Sequence, residues 1–422
     1  MEVMIDCYFD QIFAEMERSS LLSRYKRRAL VDYITAIIQG CAKANTEICE
    51  KAVLAALRYH NITLMENGSI CLLGKFHNVL YIAMKLCFDW KLKNNDVVSR
   101  ILNDIYYCEK TFERIFVGAI FGTRVTHFLS GWKSDFEDRE ENIRALIYFM
   151  DHANAGHLQY STTTSNEKCR FFDVPMESYG HALPIRVVIQ LGSPDILLLL
   201  LRYGASTISD NLSPSPIEMV LNKFADFDGG NVNESGQYPP QLLTCLKVIL
   251  RTVPLVTVNT PGHIADQSGV LTVPLYDQYP QLVENNLVPP ERSGISPPEL
   301  KHLCRCQIRE SLFRNWALPH GIKELRIPES LRDYLDLLIE KERQREKVEN
   351  KNKKIITAKR HLQDFRLSES PRVSSPPAAR TFPVNYLPLA FSRCDNFISV
   401  PNFPLLRHAL GLNSQPLFRP RP

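Results

Sequence analysis

"GHALPIRVVIQLGSPDILLLLLRYGAS" (Gly180–Ser206) is the stretch on which the fold turns. Two short apolar segments flank "LGSPD". Ser193 stands where a helix N-cap belongs. Pro194 takes the first helical position, where its fixed φ helps and its missing N–H costs nothing. Gly204 falls where a left-handed C-cap residue is needed. The pattern predicts a helix starting at Pro184, a turn at Gly192, and a second helix carrying Ile196, Leu197, Leu200 and Leu201. One such unit cannot bury its own apolar face, so neighbours have to stack on it.

Neighbours are readable on both sides. Downstream, "SPIEMVLNKF" (Ser215–Phe224) starts a weaker unit. A glycine-containing insertion follows, and "LLTCLKVILRTVP" supplies its second helix. Upstream, "NIRALIYFMDHANAG" (Asn142–Gly156) is an apolar helix followed by a polar loop, "QYSTTTSNEKC". From Met4 to about Phe128, apolar residues recur at three- and four-residue intervals in "IDCYFDQIFAEMER", "YKRRALVDYITAIIQGCAKA", "ICEKAVLAALRYH" and "DVVSRILNDIYY". Asn45-Thr46 and Asn94-Asn95-Asp96 are start signals. The stacking demand makes these N-terminal helices partners in one continuous helical array.

The Gly180–Ser206 unit resembles an ankyrin repeat. Pro184 and Ile185 open its first helix, Gly192 lies in its turn, and Gly204-Ala205 closes its second helix. Leu183 and Arg186 stand where that family has threonine and histidine. The resemblance therefore implies that the usual hydrogen bonds between successive turns are lost here.

Beyond the repeats, Ser296–Leu338 holds the residues that bear on function. Ser296 and Glu299 form a capping box, with Pro297 at the first helical position. A helix advances about 100° per residue, which lines up Leu300, Cys304 and Ile308, with Leu303 beside them. Such a ridge can dock into a partner's groove. Cys304 and Cys306 sit about 200° apart on that helix and cannot share one ion. His302 and Cys306 share a face, but two ligands do not complete a structural zinc site. No metal and no cofactor are expected. Pro319, Gly321 and Pro328 then break the helix. A further helix starts near Pro328, with Leu331, Leu335 and Leu338 on its apolar face and Tyr334 adjacent.

This stretch resembles a SOCS box. Leu300, Cys304 and Ile308 match its Elongin C box, and Leu325, Ile327, Pro328, Leu331, Tyr334 and Leu335 match its cullin box. Arg326 stands where the first cullin-box proline is expected. Together the two halves resemble the ankyrin repeat and SOCS box family. The resemblance implies Elongin C contacts at Leu300, Leu303, Cys304 and Ile308, and cullin contacts at the six cullin-box positions. It implies a substrate-recruiting subunit of a ubiquitin ligase, held to Elongin B/C and a cullin-5-type scaffold with its RING subunit, and recruiting a target protein. The chemistry would lie in those other subunits.

The expected fold class is all-α: a divergent ankyrin-like helical array, a small three-helix SOCS box and a disordered C-terminal tail. The boundaries are 1–130 for the N-terminal helices, 131–255 for the repeats, and 256–293 for an irregular connector. The box takes 294–339, a charged basic helix 340–366, and a Pro/Ser-rich tail 367–422.

Composition fits this reading. The chain has 422 residues, 45% hydrophobic and 23% charged, with a net charge of +4 that does not argue for nucleic-acid binding. Eleven cysteines without a CxxC fit free thiols in a reducing compartment. The N-terminus lacks the basic start and apolar core of a secretory signal, and "VLYIAMKLCFDW" (Val79–Trp90) is too short for a membrane span. A cytoplasmic or nucleocytoplasmic protein, without a membrane partner, is expected. Lys351–Lys354 could serve as a nuclear signal or an RNA contact. Interleaved Glu340, Glu342, Glu346 and Glu349 favour a solvated charged helix. No phosphate loop, GxSxG or HExxH is present, so an enzyme is not expected. Two other readings remain open. In one, the chain is a scaffold whose last helices cap the array, which would put Leu300, Cys304 and Leu331 inside the core. In the other, it is a helical enzyme with a pocket of titratable groups away from the box.

Overall fold

The computed structural model describes residues 2–17, 21–41, 45–72, 74–122, 134–162, 168–207, 214–229, 238–261 and 270–338. The charged segment 340–366 and the tail 367–422 lie outside them. So does Phe128, at the end of the N-terminal helical stretch.

Helices α1 (Glu2–Ala14), α2 (Arg24–Gly40), α3 (Asn45–Glu66), α4 (Lys75–Asp89) and α5 (Asn95–Glu109) form the N-terminal layer. Their ends follow from local chemistry. Ser23 accepts a hydrogen bond from the Lys26 N–H at the start of α2. Asn94 does the same for Asp96 at α5, as its sequence suggests. α3 packs against α1, α2 and α4. Phe9 and Phe13 of α1 reach a core that also takes Val53 and Leu57 of α3, Leu80 and Met84 of α4, and Ile101 of α5. α6 (Glu113–Phe121) packs on α7 (Arg139–Ala155). A buried ion pair, Arg27 Nε to Asp135 Oδ2 at 2.8 Å, ties α2 to the segment before α7.

The decisive stretch folds as two helices, α8 (Pro184–Leu191) and α9 (Pro194–Tyr203). Gly192 and Gly204 are both left-handed, as a turn and a C-cap require. Ser193 is the N-cap residue of α9, but its side chain makes no capping hydrogen bond. The next unit is α10 (Pro216–Gly229) and α11 (Pro240–Ile249). Here a reciprocal capping box does form: Glu218 Oε2 accepts from the Ser215 N–H, and Ser215 Oγ accepts from the Glu218 N–H. α8 packs on α10 and α9 on α11, so the two helix pairs stack as repeats do. One buried core runs from Phe9 through these repeats to Leu337. The N-terminal helices and the repeats therefore share a single continuous interior.

The architecture is helical as expected, and two expectations need correction, on Arg186 and on the connector. Arg186 does not lose the link between successive turns: its Nη1 donates to the Pro214 carbonyl of the next unit, doing with a longer side chain what histidine would. The helical array also carries two antiparallel hairpins, β1 (Gln159–Ser161) with β2 (Lys168–Arg170), and β3 (Thr257–Pro261) with β4 (Val270–Pro274). The connector 256–293 is accordingly not irregular. After β4 it holds the short helices α12 (Leu275–Gln278), α13 (Pro280–Glu284) and α14 (Pro290–Ser293). Leu275, Leu282 and Val288 drop into the shared core and hold it in place.

Candidate functional site

The C-terminal element is α15 (Leu300–Arg314), a 3-10 turn at His320–Glu324, and α16 (Glu329–Leu335). The predicted capping box does not form. Glu299 is the N-cap residue, in an extended conformation with no side-chain cap. Ser296 and Pro297 each precede a proline, which disfavours helical ψ at both, so the helix cannot start at Pro297 as a Ser296 cap requires. The third expected helix is the 3-10 turn, a single short stretch between Pro319 and Leu325.

α15 is amphipathic in the reverse of the usual sense. Leu300 is 76% exposed, Leu303 and Ile308 are each 38% exposed, and Cys304 is exposed beside them. An open groove of about 530 Å³ runs past Leu303 and Cys304, lined on the array side by Thr252 and Pro254. The face turned to the array buries His302, Arg305 and Arg309 instead. Apolar side chains are thus left in water while charged ones are taken out of it, which single-chain folding does not favour.

Backbone carbonyls satisfy Arg309, while Arg305 donates to His302 Nδ1 and lies over the Tyr334 ring. Arg309 Nη1 donates to Leu335 O at 2.8 Å, and its Nη2 donates to Leu201 O and, at 3.4 Å, to Arg202 O. Leu201 and Arg202 lie in the last turn of α9, where the helix dipole favours a cation, and Leu201 O accepts from the Gly204 N–H as well. Burial pulls the Arg309 guanidinium down to about 10, against the pull of Asp336. It remains charged at neutral pH. Further ties fix the element to the array. Arg202 grips Asp336 through two bonds, at 3.0 and 2.5 Å. Arg251 donates to Leu337 O, and Asn154 donates to Trp316 O and Leu318 O. Arg170 stacks over both Phe313 and Trp316 at 3.7 Å. At Gly204 the approach is so close that a Cβ would lie 2.4 Å from Phe313 Cδ2.

The second half carries a small core of its own. Leu318, Ile322 and Leu335 are buried there, with Leu325 and Ile327 packed against them. Leu335 is therefore closed inside. Pro328 and Leu331 are exposed, and Tyr334 is covered by Lys301 at 4.5 Å and Arg305 at 4.1 Å. Arg326 faces solvent.

Residues 296–336 match the SOCS box family model. The chain is also 28% identical over 165 residues to ankyrin repeat and SOCS box protein 17 of Homo sapiens, covering 37% of this chain and 50% of that protein. The Mus musculus protein of the same name is 29% identical over 163 residues, covering 36% and 49%. The chain is thus similar to members of the ankyrin repeat and SOCS box family, with residues 296–336 matching the SOCS box itself. It spans about half the length of the curated relatives it matches. No solved structure matches it.

Within the SOCS box, Cys304 and Cys306 do point apart. Cys304 joins the outward ridge, while Cys306 Sγ faces Thr252 O at 3.6 Å. The residues that sequence reading missed are those that seat the box: His302, Arg305 and Arg309 on α15, and Asn154, Arg170, Arg202 and Arg251 on the array. Their one local signal is spacing, because His302, Arg305 and Arg309 fall on a single helical face.

His302 makes this seat pH-sensitive. Its Nε2–H donates to Val253 O at 2.6 Å, and its Nδ1 accepts from Arg305 at 2.7 Å, a pattern that requires a neutral ring. Burial, with Arg305 and Arg292 nearby, holds it down at about 4. A folded value below the unfolded 6.5 means that the folded state binds fewer protons. The stability from His302 is therefore full above about pH 6.5 and is lost as pH falls towards 4. The urea midpoint of the full chain should drop between pH 7 and pH 5, and His302→Gln should flatten that drop. An equal drop in the variant would assign the effect to other groups.

Proposed function

We propose that this chain is the substrate-receptor subunit of a cullin–RING ubiquitin ligase. Its SOCS box binds Elongin B/C through Leu300, Leu303, Cys304 and Ile308. Pro328 and Leu331 meet a cullin-5-type scaffold, with Leu325, Ile327, Tyr334 and Leu335 shaping the surface behind them. The helical array binds a target protein. The mechanism is positioning: a target held near a charged E2 reacts at a high effective concentration, so this chain needs no catalytic residues. A cytoplasmic or nucleocytoplasmic setting goes with this reading.

One observation carries it. The four Elongin C-box residues face away from the array, and the same helix spends its inward face on buried arginines and a histidine. The scaffold reading puts Leu300, Cys304 and Leu331 in the core, yet Leu300 and Cys304 are exposed and Leu331 is 39% exposed.

Affinity purification of tagged full-length chain from cells tests the assembly. Elongin B, Elongin C and cullin-5 should be recovered together. Leu331→Asp should release the cullin while retaining the Elongins. Recovery of cullin-2 in place of cullin-5 would overturn the cullin assignment, and absence of all three would overturn the ligase reading.

A further inference from the structure

His60, Cys71, His77 and Cys108 converge inside the N-terminal helices, with their ligand atoms all within 4.8 Å of one another. They come from four places. His60 lies near the end of α3, Cys71 in the loop before α4, His77 in the first turn of α4, and Cys108 in the last turn of α5. Cys71 Sγ and Cys108 Sγ lie 3.7 and 3.3 Å from His60 Nε2. A tetrahedral zinc with bonds of about 2.3 Å to sulfur and about 2.0 Å to nitrogen has a sulfur–nitrogen edge of about 3.5 Å. Both of these edges from His60 already stand within a few tenths of an ångström of that value.

The surroundings match a metal site as well. His77 Nε2 is 2.5 Å from Glu109 Oε1, which leaves its buried Nδ1 without a hydrogen-bond partner. His60 Nδ1 faces Asp104 Oδ2 at 3.7 Å, with its Nε2 turned to the thiols. A carboxylate behind each imidazole is what orients metal-bound histidines and raises their basicity. Glu109 is held in turn by the Tyr81 hydroxyl at 2.9 Å and by Arg114 at 3.3 Å. Both histidines are buried, and the two cysteines are half-buried, which leaves a route for an ion.

A hydrogen-bonded core of two histidines and two cysteines is the plain alternative. It leaves a buried imidazole nitrogen unpaired, which native interiors generally avoid. It also crowds together proton-bearing groups that compete for the same space.

We propose that His60, Cys71, His77 and Cys108 bind one structural zinc ion, which pins the loop between α3 and α4 to α5. Two thiolates and two imidazoles select a borderline-soft ion over magnesium or calcium. Four protein ligands close the tetrahedron and leave no open position for catalysis. The sequence hides the site, because intervals of 10, 5 and 30 residues between the ligands match no finger spacing.

The test is metal content of full-length chain made in zinc-supplemented medium. About one zinc per chain is expected. Cys71→Ser and Cys108→Ser should each remove it, while the exposed Cys7→Ser keeps it. Asp104→Asn should retain the ion but weaken it by roughly 10–100-fold in chelator competition. If the cysteine variants fail to fold, cobalt loading of the wild type decides: the absorption of tetrahedral thiolate-bound cobalt should appear and be displaced by zinc. Wild-type chain with free thiols that takes up neither metal would overturn the proposal. So would a Cys71–Cys108 disulfide found by intact mass.

Discussion

The double substitution Leu300→Ala, Cys304→Ala is expected to weaken Elongin C binding by about three orders of magnitude and to leave folding stability almost unchanged. Leu300 is 76% exposed and Cys304 is exposed too, so neither contributes much burial to the free chain. Surface changes of that kind stay within about 0.5 kcal/mol. In the complex the situation reverses. Fully burying a leucine is worth about 1.5–3 kcal/mol, and central anchors often exceed about 2 kcal/mol on truncation. A joint loss of about 4 kcal/mol is about 10³ in Kd. Calorimetric titration with purified Elongin B/C and a thermal melt of the same sample separate the two effects. A lowered Tm, alongside lost binding, would instead mean that these residues support the fold.

Arg309→Ala should behave in the opposite way, with a large loss of stability that carries Elongin binding down with it. The guanidinium serves carbonyls of Leu335, Leu201 and Arg202, which join α16, α15 and the end of α9. Leu201 O keeps the Gly204 N–H, but a hydrogen bond from a charged group is worth about 1.5–3 kcal/mol, and the missing side chain leaves a cavity. A total of about 3 kcal/mol or more follows, seen as a fall in the urea midpoint. Arg309→Lys should recover only part, because an ammonium cannot reproduce the planar fork. Protease sensitivity around 294–338 would report release of the box before the array unfolds. An unchanged midpoint in Arg309→Ala would show that water replaces the arginine without penalty.

The sequence makes legible whatever depends on neighbours along the chain. Pro184, Gly192, Pro194 and Gly204 act through their own backbone preferences, so α8 and α9 are readable directly. The ridge Leu300–Cys304–Ile308 is readable for a related reason, since it needs only helical pitch. What stays hidden depends on distant partners. Arg309 looks like a solvent-facing charge until the carbonyls of α9 and α16 are placed beside it, and Arg305 until His302 and the Tyr334 ring are. Arg186 looks like a broken repeat contact until Pro214 O comes within reach. The hairpin of β3 and β4 lies in a stretch rich in Pro, Gly and Asn, where composition hides a short strand pair. His60, Cys71, His77 and Cys108 come from three helices and a loop, and no spacing rule joins them.

The most direct measurement is complex formation between purified full-length chain and purified Elongin B/C, followed by gel filtration with light scattering. The outward ridge of α15 predicts a stable complex with one copy of each subunit, in which amide hydrogen exchange slows across Leu300–Arg314. Separate elution at micromolar concentrations, with exchange in α15 unchanged, would contradict the account.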